Sequence, residues 1–242
     1  MTFKHNIPIV VGTCQKYQSV FQDVYQSIKT SLPNKKIMAV SDIEVNLVED
    51  DYMLTMKDEG WNANLLKLIE GLKIESYVIL TMDDLLFTQC VAEPEFDTII
   101  QSLINLNYDY VSLYAPPAVK LKRAVLSDFL PLSKTSGDHS ISTMVSLINV
   151  HMLRHLLMST KTPWEFERES YKLINGYKCG NLNYNLVSVS NLIVQGKKVS
   201  WRNASKKITM IDRLYSLKYR LKLLMFSAKH LYNVKIFQFL LK

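Results

Sequence analysis

The stretch Tyr77-Val-Ile-Leu-Thr-Met-Asp-Asp-Leu-Leu-Phe87 limits what this chain can fold into more than any other. Residues 77–81 favour a strand and run straight into two adjacent carboxylates, Asp83 and Asp84, before apolar residues resume. A short continuous apolar run predicts a strand buried on both faces, in the middle of an α/β sheet. Open α/β sheets bind ligands beyond the carboxyl ends of their strands, which is where the acidic pair falls. Neighbouring carboxylates repel one another unless a cation or a proton lies between them. Two readings follow: a divalent-metal site that holds a phosphorylated ligand, or a solvated acidic turn.

The flanking sequence is consistent with such a sheet. Residues 7–13 read as a strand ending in Gly12-Thr13, and residues 15–31 as a helix with Val20, Phe21, Val24 and Ile28 inward. Residues 37–40 read as a second strand ending at Ser41-Asp42, which makes a parallel βαβ opening. Residues 45–58 predict a short strand and an acidic loop whose Glu49, Asp50 and Asp51 are solvated. Gly60-Trp61-Asn62 opens a helix with Leu65, Leu66, Leu68, Ile69 and Leu72 as its buried stripe. Pro94 opens the next, with Phe96, Ile99, Ile100, Leu103 and Ile104 inward. A strand over 108–114, a polar loop over 133–138, a strand over 140–147 and a helix over 149–159 follow. Strands at 186–194 and 198–201 form a hairpin across Gln195-Gly196-Lys197. Neither GxGxxG nor GxxxxGK[ST] occurs, which argues against dinucleotide and P-loop folds.

Composition matters at one point, the placement of charge. Twelve of the 29 Lys/Arg, but one of the 22 Asp/Glu, lie in residues 196–242, so the body is mildly acidic and the end strongly basic. That argues against a nucleic-acid-binding body and for a segment that meets an anionic surface. The chain divides into a catalytic-type domain, 1–205, and a basic amphipathic segment, 206–242, helical from Asp212 to about Leu241. The segment has two roles open to it: lying on a membrane surface, or covering the sheet or pairing with another subunit as in a homo-oligomer. Three scattered cysteines suggest neither a disulfide framework nor a zinc knuckle. No secretory leader is read at the start and no run of 18 apolar residues occurs, which predicts a cytoplasmic protein, peripheral to the inner face of the cell membrane if the segment binds lipid.

Four features stand where an α/β enzyme would place a site: Thr13 to Tyr17, Asp42, Asp83-Asp84, and Glu165 with Glu167. In order, Ile-Val-Val-Gly-Thr13 with Tyr17, the Trp61 helix leading into Tyr-Val-Ile-Leu-Thr-Met-Asp-Asp84, Pro-Trp-Glu-Phe-Glu167 and Gln-Gly-Lys197 resemble a family of bacterial polysaccharide glycosyltransferases. These are of the capsule, O-antigen or exopolysaccharide type with a GT-A-like fold, and the resemblance covers roughly residues 7–201. It implies a Rossmann-like, mostly parallel sheet flanked by helices. It also implies sugar transfer from a UDP- or GDP-type donor to a lipid-linked or growing surface glycan, with Mn2+ or Mg2+ as cofactor.

In the resemblance Asp83 and Asp84 take the place of a DxD-like motif and hold the metal, although the sequence reads Met-Asp-Asp-Leu and leaves open which carboxylate does so. Thr13, Tyr17, Asp42, Trp61 and Asp83 would face the donor. The plainer readings are a helix N-cap for Thr13, core packing for Tyr17 and an Asx turn for Asp42. Glu165 and Glu167 are the candidate bases for an inverting transfer, with the lean to Glu167. If Pro163 starts a helix they point about 200° apart, so at most one faces a given pocket. Trp61 and Trp164 read as core residues, with packing on a sugar face as the alternative. His151 and His155 have i, i+4 spacing, but Met152 stands where a zinc peptidase has Glu, and they read as a helix-surface pair. Rival functions are a metal-dependent phosphohydrolase or nucleotidyltransferase using the same aspartates, and a non-catalytic membrane-associated assembly protein.

Overall fold

A computed structural model describes residues 7–48, 50–114, 132–134, 141–182, 185–194 and 197–198. The domain boundary near 205, the basic segment 206–242, Glu49, most of the polar loop over 133–138, Gln195-Gly196 and residues 199–201 lie outside the described residues. The chain forms a mixed α/β sheet with helices on both faces, in GT-A-like arrangement. Its parallel half is built from β1 (Ile9–Gly12), β2 (Ile37–Ser41), β3 (Tyr52–Thr55) and β4 (Tyr77–Met82). Helix α1 (Gln18–Ser31) joins β1 to β2, and α2 (Trp61–Gly71) joins β3 to β4. After β4 come β5 (Leu85–Cys90), α3 (Glu93–Asn105), β6 (Tyr110–Ser112), β7 (Leu132–Lys134), β8 (Ser146–Asn149), α4 (Val150–Ser159) and α5 (Pro163–Glu169). Strands β9 (Cys179–Leu182), β10 (Val187–Asn191), β11 (Ile193–Val194) and β12 (Lys197–Lys198) follow. The main sheet has the order β3-β2-β1-β4-β8-β6-β9-β7, so β4 is central. Strand β8 runs antiparallel to both β4 and β6, and β9 is parallel to β6.

Alternation along the strands feeds two cores. Ile9, Val11 and Ile79 pack on α1 and α3, while Val10, Val78 and Leu80 pack on α2, α4 and Phe166 of α5. The helical stripes expected from 3.6-residue spacing are those the sheet covers: Val20, Phe21, Val24 and Ile28 in α1, and Leu65, Leu68 and Ile69 in α2, are buried. Pro94 does open α3.

Several expectations need correction. The strand placed at 140–147 begins only at Ser146, because residues 142–143 are held by Glu167 instead of by a neighbouring strand. The loop expected from 133 begins as strand β7 on the edge of the sheet. The 186–194 strand breaks at Leu192: its first part pairs with β5, and only Ile193–Val194 pairs with Lys197–Lys198 across the expected turn. Asp51 is not solvated. Its side chain is 0% exposed, accepts from Tyr25 Oη at 2.8 Å and Ile37 N at 2.7 Å, and lies 3.3 Å from Lys29 Nζ. No helix among the described residues is long and apolar enough to cross a membrane.

Candidate active site

The carboxyl ends of β1, β2 and β4 lie side by side, since Gly12 stands opposite Val40 on one flank and Met82 on the other. Whatever follows these strands is therefore brought to one edge: Thr13 and Cys14 after β1, Asp42 after β2, and Asp83-Asp84 after β4. Thr13 N–H donates to Val40 O at 2.9 Å, extending the β1–β2 ladder by one residue. Gln15 N–H donates to Asp42 Oδ1 at 2.6 Å, so Asp42 ties the loop after β2 to the loop after β1 and is not a local turn. Tyr17 is half-exposed at the end of a 3-10 turn, outside the core, with the Lys16 ammonium 5.1 Å from its ring centre.

Asp83 and Asp84 form the two-residue turn between β4 and β5. The turn is anchored by Leu192 N–H, which donates to Asp84 O at 2.7 Å, and by Ser27 Oγ, which accepts from Phe87 N at 3.0 Å. Asp83 is only 6% exposed, which removes the solvated-turn reading for it, and Asp84 is half-buried. Burial pushes the Asp83 carboxyl up to about 7; the Thr13 hydroxyl offsets part of this, and the charge of Asp84 adds to it. The Thr13 Oγ1 is buried close to Asp83 without a hydrogen bond of ordinary geometry. Burial raises Asp84 as well. Burial also raises the half-buried Cys14 thiol, with the charges of Asp83 and Asp42 adding to the rise.

Among the described residues no Lys, Arg or His makes an ion pair with Asp83 or Asp84. No cluster of three or more His, Cys, Asp or Glu side chains suited to a metal occurs among them either. A magnesium-type ion nevertheless fits the two acids, because it takes one or two carboxylates and completes its shell with substrate phosphates and water. The buried Thr13 hydroxyl beside two carboxylates with no cation paired to them among the described residues suits such a site.

The two candidate bases diverge, as the helical spacing requires. Glu165 is exposed and accepts from Lys161 N at 2.8 Å, while its own N–H donates to Thr162 Oγ1, so it serves the N-terminus of α5. Glu167 turns toward the sheet. Its Oε1 accepts from Thr143 N at 2.8 Å, Thr143 Oγ1 at 2.7 Å and Ser142 Oγ at 3.0 Å. Ser142 N–H donates to the hydroxyl of the buried Tyr110 at 2.9 Å, which fixes the same segment from below. Since Ser146 of β8 stands opposite Leu80 of β4, residues 142–143 extend past the carboxyl end of β4, the edge that carries Asp83.

Trp61 is half-buried and packs rather than presenting a free face. Its ring meets Phe166 edge-on at 5.6 Å, and a Cβ on Gly12 would lie 3.0 Å from its Cδ1, so glycine at the end of β1 lets the indole close over the strand. Trp164 departs from the core reading: it is 73% exposed, because Phe166 occupies the inward side of α5. Cys14 and the Ser142-Thr143 pair were not marked from sequence. Cys14 directly follows the marked Thr13, whereas the polar Ser-Ile-Ser-Thr143 run was absorbed into an expected strand.

No family model matches the chain, and no curated protein matches it in sequence. Similarity to solved structures is found at low sequence identity. A mannosyltransferase from Pyrobaculum calidifontis, in complex with GDP-Man and Mn2+, superposes with a TM-score of 0.55 at 13% identity, over 81% of this chain and 59% of that one. This chain thus spans less than two thirds of that structure. S. aureus TarS gives a TM-score of 0.47 at 10% identity, over 75% of this chain and 36% of its own. A glucose-1-phosphate thymidylyltransferase from Bacillus anthracis gives 0.44 at 10% identity, over 84% and 97%.

Proposed function

We propose that the protein is a metal-dependent, inverting glycosyltransferase that moves a sugar from a nucleotide-diphosphate donor to a lipid-linked or growing surface-polysaccharide acceptor. The observation that carries this reading is the buried Asp83 carboxylate beside Asp84 at the carboxyl edge of the central strand, without a protein cation among the described residues. The GT-A-like fold, shared with a mannosyltransferase solved with GDP-Man and Mn2+, supports a nucleotide-sugar donor and a divalent ion.

Asp83 and Asp84 would hold Mn2+ or Mg2+, which when bound neutralises charge that builds on the departing diphosphate. Thr13, Cys14 and Asp42 line the edge where the nucleotide would lie, with Tyr17 beyond them. Glu167 is the better-placed base of the two glutamates, since it faces the segment that runs past β4 while Glu165 is spent on its own helix end. It would accept the proton of the acceptor hydroxyl as that oxygen attacks the anomeric carbon. The bond from that carbon to the diphosphate oxygen breaks, and the nucleotide diphosphate leaves with the electron pair.

A thermal-shift panel of nucleoside diphosphates with and without Mn2+ tests the reading. UDP or GDP is expected to raise the melting temperature only when metal is present, and Asp83→Asn with Asp84→Asn to abolish the response. Flat curves for every nucleotide in the wild-type protein would sink it. Release of inorganic phosphate without any acceptor would instead favour a phosphohydrolase. For the base, Glu167→Gln keeps an oxygen acceptor for Ser142 and Thr143, so folding is expected to hold while kcat falls by about 10²–10⁴.

A further inference from the structure

The edge of the sheet opposite the carboxylates carries a group of side chains that the proposed reaction does not use. There β8 ends at Asn149, whose side chain accepts from His151 N at 2.8 Å and starts α4. His151 and His155 stand one turn apart on an exposed face of that helix, about 40° from each other around its axis. The fold adds a third ring that spacing does not reveal. Tyr177, on the segment that enters β9, puts its hydroxyl 3.2 Å from His155 Nδ1, and its ring centre 5.9 Å from His155 and 6.4 Å from His151. Its backbone is held on both sides: Tyr177 N–H donates to Ile174 O at 3.0 Å, and Lys178 N–H to Asp109 Oδ2 at 2.8 Å.

We infer that His151 and His155 form a binding site for an imidazole-seeking divalent transition metal such as Ni2+, Cu2+ or Zn2+, with Tyr177 as a positioning residue for His155. Two histidines at i, i+4 are spaced to reach one ion from a single helix face. Imidazole suits these metals, whereas Mg2+ seeks oxygen, so the site differs in kind from the aspartate pair. A ligating histidine holds its orientation by engaging its second ring nitrogen. In the tautomer whose Nδ1–H donates to the Tyr177 oxygen, Nε2 of His155 is the unprotonated nitrogen that a metal requires.

Nearby cations are turned elsewhere: Lys178 Nζ donates to Leu106 O at 2.7 Å and lies 4.5 Å from the Tyr108 ring centre, and Arg154 Nη2 donates to Ile74 O at 3.3 Å. Met152, fully buried, stands where a zinc peptidase carries its glutamate, so the site binds metal without a hydrolytic base.

Calorimetric titration of Ni2+ into the full-length apo protein tests this. The His151→Ala/His155→Ala double variant is expected to bind one Ni2+ fewer per chain than wild type. Tyr177→Phe is expected to keep the stoichiometry but weaken that event by about 10-fold or more. Mg2+ should give no matching event at this site. Both histidines are exposed, so metal-free melting temperatures of wild type and double variant should coincide, which separates lost binding from lost folding. Equal Ni2+ stoichiometry in wild type and double variant, or no Ni2+ bound by wild type, overturns the site. Unchanged affinity in Tyr177→Phe overturns the role given to Tyr177.

Discussion

Two aspartates, Asp51 and Asp83, are buried within the same domain, and their surroundings are opposite. Asp51 is met by a tyrosine hydroxyl, a backbone N–H and a lysine ammonium, and its neighbour Tyr25 also accepts from Val48 N at 2.8 Å. The network fastens α1, the start of β2 and the loop before β3 to one another. Asp83 has the Thr13 hydroxyl beside it and a second carboxylate next in sequence, with no ammonium or guanidinium paired to it among the described residues. Burying a charge is costly unless it is paired. A compensated buried carboxylate belongs to the scaffold. Asp83, with no cation paired to it among the described residues, is where the proposed metal would supply the missing charge, and this difference separates structure from candidate site.

The largest expected effect sharpens the first half of that contrast. Asp51→Ala leaves the Lys29 ammonium with only Lys35 O, and removes the acceptor of the Tyr25 hydroxyl and of Ile37 N; it should cost about 3–5 kcal/mol of unfolding free energy in urea denaturation. A loss below 1 kcal/mol would show that Asp51 is no scaffold node.

Asp83→Asn should act in the opposite direction. The carboxyl titrates near 3.8 when unfolded and near 7 when folded, so between those values the folded protein binds more protons. Stability without metal therefore falls as pH rises from about 4 through the folded pKa of about 7, and the penalty is nearly complete at about pH 8. Removing the charge is expected to stabilise the protein by up to about 4 kcal/mol at pH 8 and by little at pH 4. Denaturation curves at the two pH values decide it, and an Asn variant that is less stable at pH 8 would break the comparison.

Tyr25→Phe carries the smallest effect. It removes one donor from Asp51 and the acceptor for Val48 N, while Lys29 and Ile37 N remain. A loss of about 1–2 kcal/mol is expected by the same denaturation assay, clearly less than for Asp51→Ala. Equal losses would mean that the carboxylate adds nothing beyond the tyrosine contact.

The periodic parts were legible because they depend on neighbours within a few residues. The stripes of α1, α2 and α3 and the apolar runs of β1, β2 and β4 announce their own burial, and a sharp turn of two acids after β4 can be read as an edge. Strand β5 was not legible: Leu85 to Cys90 leaves β4 without forming a hairpin with it, and pairs with β10 about a hundred residues later. Asp51 looked like one of three solvated acids, since nothing local says that Tyr25, Lys29 and Ile37 converge on it. Glu165 and Glu167 looked equivalent until Thr162 and Lys161 took up the first, and Ser142 and Thr143 met the second.

By itself the sequence determined an α/β chain with a central buried strand that delivers two adjacent carboxylates to its carboxyl end. Hydrophobic period and strand length are local properties, and so is the adjacency of Asp83 and Asp84. Only the tertiary structure decided that Asp83 is buried while Trp164 is not, that Asp51 is neutralised by residues from α1 and β2, and that Tyr177 stands against His155. Burial and charge compensation are set by which distant segments meet, and that depends on the order of strands in the sheet.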